Sequence, residues 1–235
     1  MQQIRGRDAA LAVLHDPLFV VPPAPPAPTG VAWLRATVGR FCNGPAHERR
    51  RALSIAVLSA IPLDALRTSA SVHPVQVLAQ AMGIDEHVVE FVRDVAQAYQ
   101  PGTGDDARAD AAVGRLVAIF GGGYDEQTAA RIGVLVQACE PTAALIDRAR
   151  QRPVEDVLRD DPPVPATRRC ALEPTTVGGV SVRAGEVVQV QLAGELAFGA
   201  GPRRCPGREH ALALVATSRF EEVRHEGLRR PAPHR

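Results

Sequence analysis

Near the C-terminal end, Phe198–Glu209 reads FGAGPRRCPGRE, and no other stretch restricts the fold as tightly. Gly199 and Gly201 admit backbone angles and close approaches that a side chain forbids. Pro202 and Pro206 stiffen the chain on both sides of Cys205. A helical pattern, GREHALALVATSRF over residues 207–220, follows at once. The stretch therefore has to be a rigid loop that delivers one cysteine to the N-terminus of a helix. Unpaired amides and the helix dipole favour a negative sulfur there, and Arg203 and Arg204 add positive potential. A lowered thiol pKa is expected. Such a sulfur suits a nucleophile, a redox sensor or an axial ligand to iron. His210 lies five positions on, off the same helical face, and is expected to face solvent rather than act as a base for Cys205.

The segments before the loop set the fold class. TTVGGVSV and EVVQVQLA, joined by RAG, alternate and are rich in valine, which predicts a strand pair. Upstream the pattern is helical: residues 5–14, 31–41, 45–59, 75–82, 85–99 and 105–120, then a long helix from an Asp125 cap to about Arg150. VPPAPPAPTG, residues 21–30, is too rich in proline for helix or central strand and reads as a stiff connector. The expectation is a mainly α protein with a small β-sheet, in one domain. Its parts are an N-terminal helix and connector (1–30), a helical part (31–160), a β part (161–195), the cysteine loop and following helix (196–220), and a disordered tail (221–235).

Composition narrows the chemistry. Hydrophobic residues make up 46% and charged residues 23% of 235, as in an ordinary globular chain. A net charge of +1 gives no reason to invoke nucleic acid or a membrane surface. Every one of the 27 basic residues is arginine, so lysine chemistry is excluded. Cys42, Cys139, Cys170 and Cys205 are far apart with no C-x-x-C, signalling neither zinc nor disulfides. No stretch reads as a signal peptide or membrane span, so a cytoplasmic location is expected.

The pattern Phe198-Gly199-x-Gly201-x-Arg203-x-Cys205-x-Gly207 resembles the haem-binding signature of the cytochrome P450 family at every fixed position. The resemblance implies a reduced cytochrome P450-like fold with haem b, iron protoporphyrin IX, as cofactor and Cys205 as its proximal thiolate ligand. It also implies that Phe198 shields the sulfur, that Gly199 and Gly207 belong to the cofactor loop, and that Arg203 approaches a propionate. NGPAHERRRAL resembles the family's helix carrying His-x-x-x-Arg; His47 and Arg51 share a face and are implied to hold propionates, as is Arg168 further on. LVQACEPTAALI resembles the oxygen-activating helix, usually Ala-Gly-x-acid-Thr, which implies proton management by Glu140 and Thr142. Pro141 stands between that pair and removes the donor to the carbonyl of Gln137, which is expected to open a groove in the helix. VEDVLRDDPPVPATRR resembles the segment with the structural Glu-x-x-Arg pair, here Asp156 and Arg159.

The chain also departs from the family. It is much shorter, the N-terminal helix and sheet look largely missing, and only Leu196 and Ala197 separate Glu195 from the loop. The implied function is a haem-thiolate oxidoreductase acting on a small apolar substrate with dioxygen or peroxide, a monooxygenase in the first instance. A ferredoxin-type donor would supply electrons, received near Arg204 and Arg208. The alternatives are haem-thiolate chemistry of another type (peroxygenase, dehydratase or bond-forming), or a non-catalytic haem-binding or partner protein of the same descent.

Overall fold

In the computed structural model, residues 1–66 and 72–217 are described. Two strands near the N-terminus, β1 (Gln3–Ile4) and β2 (Phe19–Val20), flank helix α1 (Arg7–His15). The helical part runs through α2 (Gly30–Thr37), α3 (Gly44–Ser59), α4 (Pro74–Ala81), α5 (Val89–Ala98), α6 (Asp106–Ile119), α7 (Glu126–Gln151) and α8 (Val154–Asp160). Strands β3 (Ala166–Ala171), β4 (Thr175–Val177), β5 (Val180–Val182) and β6 (Val187–Gln191) follow. The chain then enters the cysteine loop and a last helix, α9, described over residues 208–217. The remainder of the expected 207–220 helix and the tail lie outside the described residues.

The four-stranded sheet has the order β1-β6-β3-β2, with β1 parallel to β6 and the other pairings antiparallel. This corrects the expected strand pairing. TTVGGVSV and EVVQVQLA do not pair with each other. TTVGGVSV folds on itself, β4 against β5 with Val177 opposite Val180, because the two glycines between them make the tighter turn. β6 pairs instead with β3, which carries the ATRRCA run. Nor is the N-terminal segment an appendage: Ile4, Val13, Leu14 and Phe19 form one apolar cluster with Val188 and Val190 of β6.

The helical core surrounds α7. Asp125 caps it, its side chain accepting from the Thr128 amide at 2.8 Å. Ile132, Leu135, Cys139, Thr142, Leu145 and Ala149 recur at helical spacing and are all buried. Contrary to the expectation from sequence, α7 is long and apolar enough to cross a membrane by length and composition. It packs against α3, α4 and α5 as the central core helix. Glu126, at its first turn, accepts from Arg49 and Arg50 of α3 at 2.8 Å and is held at a pKa of about 2 by those guanidinium groups. The start of α7 is thereby tied to the helix that carries His47 and Arg51.

Candidate functional site

The cysteine loop is closed by its own backbone. The Gly199 amide donates to the Leu196 carbonyl at 2.7 Å, and the Cys205 amide donates to the Phe198 carbonyl at 2.8 Å. Gly201 has φ +64°, and a Cβ there would lie 2.5 Å from the Leu14 carbonyl oxygen of α1. Only glycine satisfies both the angle and that approach. Phe198 packs against the cluster of Leu145, Ala149, Val157 and Val215, with the Arg208 guanidinium 5.8 Å from its ring centroid. Arg208 also pairs with Glu209 at 2.6 Å, so of the two arginines expected to face an acidic partner its charge is partly met.

Although Cys205 is exposed as a residue, protein atoms crowd its thiol. Loss of solvation pushes the thiol pKa up, outweighing the Gly207 amide and the charges of Arg51, Arg204 and Arg40, which pull it down. The lowered pKa expected from sequence is therefore not found. The charges are where the sequence suggested, but desolvation in the folded loop exceeds them. His210 departs from expectation too: it is half-buried, and its Nε2 lies 2.9 Å from the Leu58 carbonyl and 3.2 Å from that of Ile61. Since both partners only accept, Nε2 carries the proton and fastens α9 to the end of α3.

His47 and Arg51 do share a face of α3, turned to the loop. Arg51 Nη2 donates to the Arg204 carbonyl at 2.7 Å. Arg203 reaches the other way, donating to the Cys42 carbonyl at 2.5 Å and to Asn43 Oδ1 at 2.8 Å. His47 is buried, and its pKa is depressed to about 4 by burial and then by Arg203, Arg51 and Arg169. In β3 the strand alternation leaves Arg168 exposed and turns Arg169 inward. Arg169 is buried, donates to Thr167 Oγ1 at 3.0 Å, and has its pKa lowered to about 10 by burial, Arg203 and Arg40. The inward arginine is thus Arg169 and not Arg168. Sequence reasoning missed it because β3 itself went unread; the alternation of that strand was the available signal.

Among the described residues, no carboxylate forms an ion pair with Arg40, Arg51, Arg169 or Arg203. Elsewhere in the chain arginines are generously paired, as Arg49 and Arg50 are with Glu126. Four guanidinium groups and a neutral imidazole thus gather about one cysteine loop without a counter-charge from the protein. No group of His, Cys, Asp and Glu suited to a metal ion occurs among the described residues.

The structure does not bring Glu140 and Thr142 together. Helix α7 continues across Pro141, and two positions along a helix differ by about 200°. Thr142 is buried on the core stripe while Glu140 is exposed, 3.8 Å from the Cys139 thiol. Burial pushes that thiol up to about 12, with Glu140 adding to the rise. Asp156 and Arg159 pair at 2.5 Å in spite of the shorter acid, but Arg159 is exposed and also meets Asp160 at 3.0 Å.

No protein-family model matches this chain, and no curated protein matches it. Solved structures do. P450BioI, in complex with an acyl carrier protein ligated to hexadec-9Z-enoic acid, is 18% identical with a TM-score of 0.67, over 97% of this chain and 85% of that one. P450 RauA, complexed with a biosynthetic intermediate of aurachin RE, is 19% identical with a TM-score of 0.64, over 94% and 83%. CxnD, a cytochrome P450 enzyme for C–S bond formation in chuangxinmycin biosynthesis, is 14% identical with a TM-score of 0.58, over 92% and 78%. At these identities the likeness is one of fold.

Proposed function

Because the chain carries a shortened cytochrome P450 fold, we propose that it is a haem-thiolate oxidoreductase that oxidises a small apolar substrate. The observation that carries this reading is the unpaired cationic cluster at the cysteine loop. The residues suit haem b: a thiol on a rigid loop for the iron, and a buried Arg169 with the partly exposed Arg51 and Arg203, none paired with a carboxylate among the described residues, for two propionates. Cys205 would ligate the iron, and His47, Arg51, Arg169 and Arg203 would hold the propionates. Arg169 takes the part expected of Arg168.

When bound, haem with an axial thiolate supplies the activation of dioxygen, given two electrons and two protons, or of peroxide without them. The chain's own residues do the rest. Gly199 and Gly201 take the left-handed angles that turn the loop, Gly201 lets it approach α1, and the Gly207 amide bonds the sulfur. Phe198, packed on the α7–α8 cluster, excludes water from one side of it. His47 is neutral near pH 7 and can donate one hydrogen bond; an approaching carboxylate favours its charged form and makes the contact stronger. Thr142 presents a hydroxyl on the buried side of α7, whereas Glu140 stands exposed on the outer side. Electrons come from a separate acidic donor, met near the exposed Arg204, in a cytoplasmic setting.

The test is spectroscopic. Full-length protein reconstituted with haem, reduced and exposed to CO, is expected to show the red-shifted absorption band of thiolate ligation, and Cys205→Ala is expected to lose it. A band at the position of a nitrogen-ligated haem, or one that survives Cys205→Ala, rejects the assignment.

A further inference from the structure

We infer that Arg40 is a further positioning residue of the same site, a fixed positive charge at the carboxylate edge of the cofactor that favours the reduced iron. The inference deepens the haem-thiolate reading and rests on it. Arg40 stands in the one-turn helix Gly39–Phe41 between α2 and α3. That turn is fastened to the site on both sides. A Cβ on Gly39 would lie 3.4 Å from the Arg51 amide nitrogen, and the Gly39 carbonyl accepts from Arg203 Nη1 at 3.4 Å. The Cys42 carbonyl, one residue past the turn, accepts from Arg203 as well.

The side chain is held without being neutralised. Its guanidinium carbon lies 5.7 Å from the Phe41 ring centroid and 6.0 Å from that of Tyr99. The two rings meet edge to face at 5.2 Å. With its amide oxygen turned to the guanidinium, Gln100 accepts from Arg40 Nη2 at 2.7 Å and from Nε at 3.2 Å. Two aromatic faces and a neutral amide fix the orientation and leave the full charge in place. Tyr99 stays a neutral phenol, since its buried ring cannot afford ionisation and its Oη has no partner. The turn thereby sets Arg40, itself exposed, on the rim of the cationic cluster, next in sequence to the Gly39 backbone that meets Arg51 and Arg203.

Charge bookkeeping then decides the consequence. Arg40, Arg51, Arg169 and Arg203 carry four positive charges, and two propionates answer two of them. The surplus favours adding one electron to the iron, which passes from the ferric to the ferrous state with the electron supplied by the donor or by a chemical reductant. Arg40 needs no contact with the iron or the substrate to act in this way.

The experiment is a spectroelectrochemical titration of the haem-loaded full chain, with haem transfer to apomyoglobin as a second readout. Arg40→Gln is expected to shift the ferrous-to-ferric ratio at the wild-type midpoint severalfold towards ferric, where tenfold corresponds to 59 mV for one electron. It is also expected to release haem faster. Arg40→Lys keeps the charge and is expected to keep most of the potential. Gln100→Glu keeps the guanidinium but places a carboxylate against it, and is expected to lower the midpoint as Arg40→Gln does, even if that variant folds poorly. Midpoints equal to wild type in every variant that folds overturn the role of Arg40 while leaving the haem assignment intact. A wild-type protein that takes up no haem overturns both.

Discussion

His47 shows how one residue records the charge around it. Burial and three nearby arginines hold its folded pKa at about 4, against about 6.5 for a free imidazole. Between those values the unfolded chain binds the proton and the native chain does not, so native stability falls as pH drops through the window. The cofactor-free protein is expected to lose up to about 1.4 kcal/mol per pH unit from this group between pH 6.5 and 4. Urea unfolding at a series of pH values measures the loss, and His47→Gln is expected to flatten that part of the profile. At the same scale the sequence was most legible in the cysteine loop, where glycine, proline and cysteine each admit few alternatives. It was least legible where neighbours distant in sequence decide, as in the desolvation of Cys205 and the inward turn of Arg169.

Among the elements, α7 does most to connect the core with the site. Its cap is local chemistry: Asp125 on the Thr128 amide, with Glu126 next to it reaching Arg49 and Arg50. Replacing Asp125 with alanine is expected to cost about 1 kcal/mol, read as a lower urea midpoint at an unchanged slope. The helix boundaries at α6 and α7 were readable because each begins at an aspartate cap and carries an apolar stripe. The sheet was misread for an equally physical reason. β1 and β2 have two residues each, too few for a period-2 pattern, and β3 carries two adjacent arginines that disguise it as loop. Helix α8, seven residues long, lacked the length for a periodic signal as well.

For the molecule as a whole, the shortened fold keeps a helical core about α7, a smaller one under the sheet and a third cluster of α7, α8 and α9 residues against which Phe198 of the cysteine loop packs. Ile4 is fully buried in the smaller core, on a strand of two residues. Ile4→Ala is expected to cost about 2–5 kcal/mol, measured by urea unfolding, and to loosen the sheet far from its own position in the sequence. That loss is expected to weaken haem retention as well, since α1, which follows β1, lies against Gly201 of the loop.

The parallel pairing of Gln3 with Gln189 also gives assembly an order in time. A chain leaving the ribosome holds Gln3 and Ile4 without their β6 partners until residues 189 and 190 have been made. The α5–α6 contacts join near neighbours and can form early, whereas bringing residue 3 against residue 189 is slow and comes late. Cys205, whose loop lies against α1, is made later still. If the chain holds haem as proposed, capture is expected only after β6 and the cysteine loop have been made.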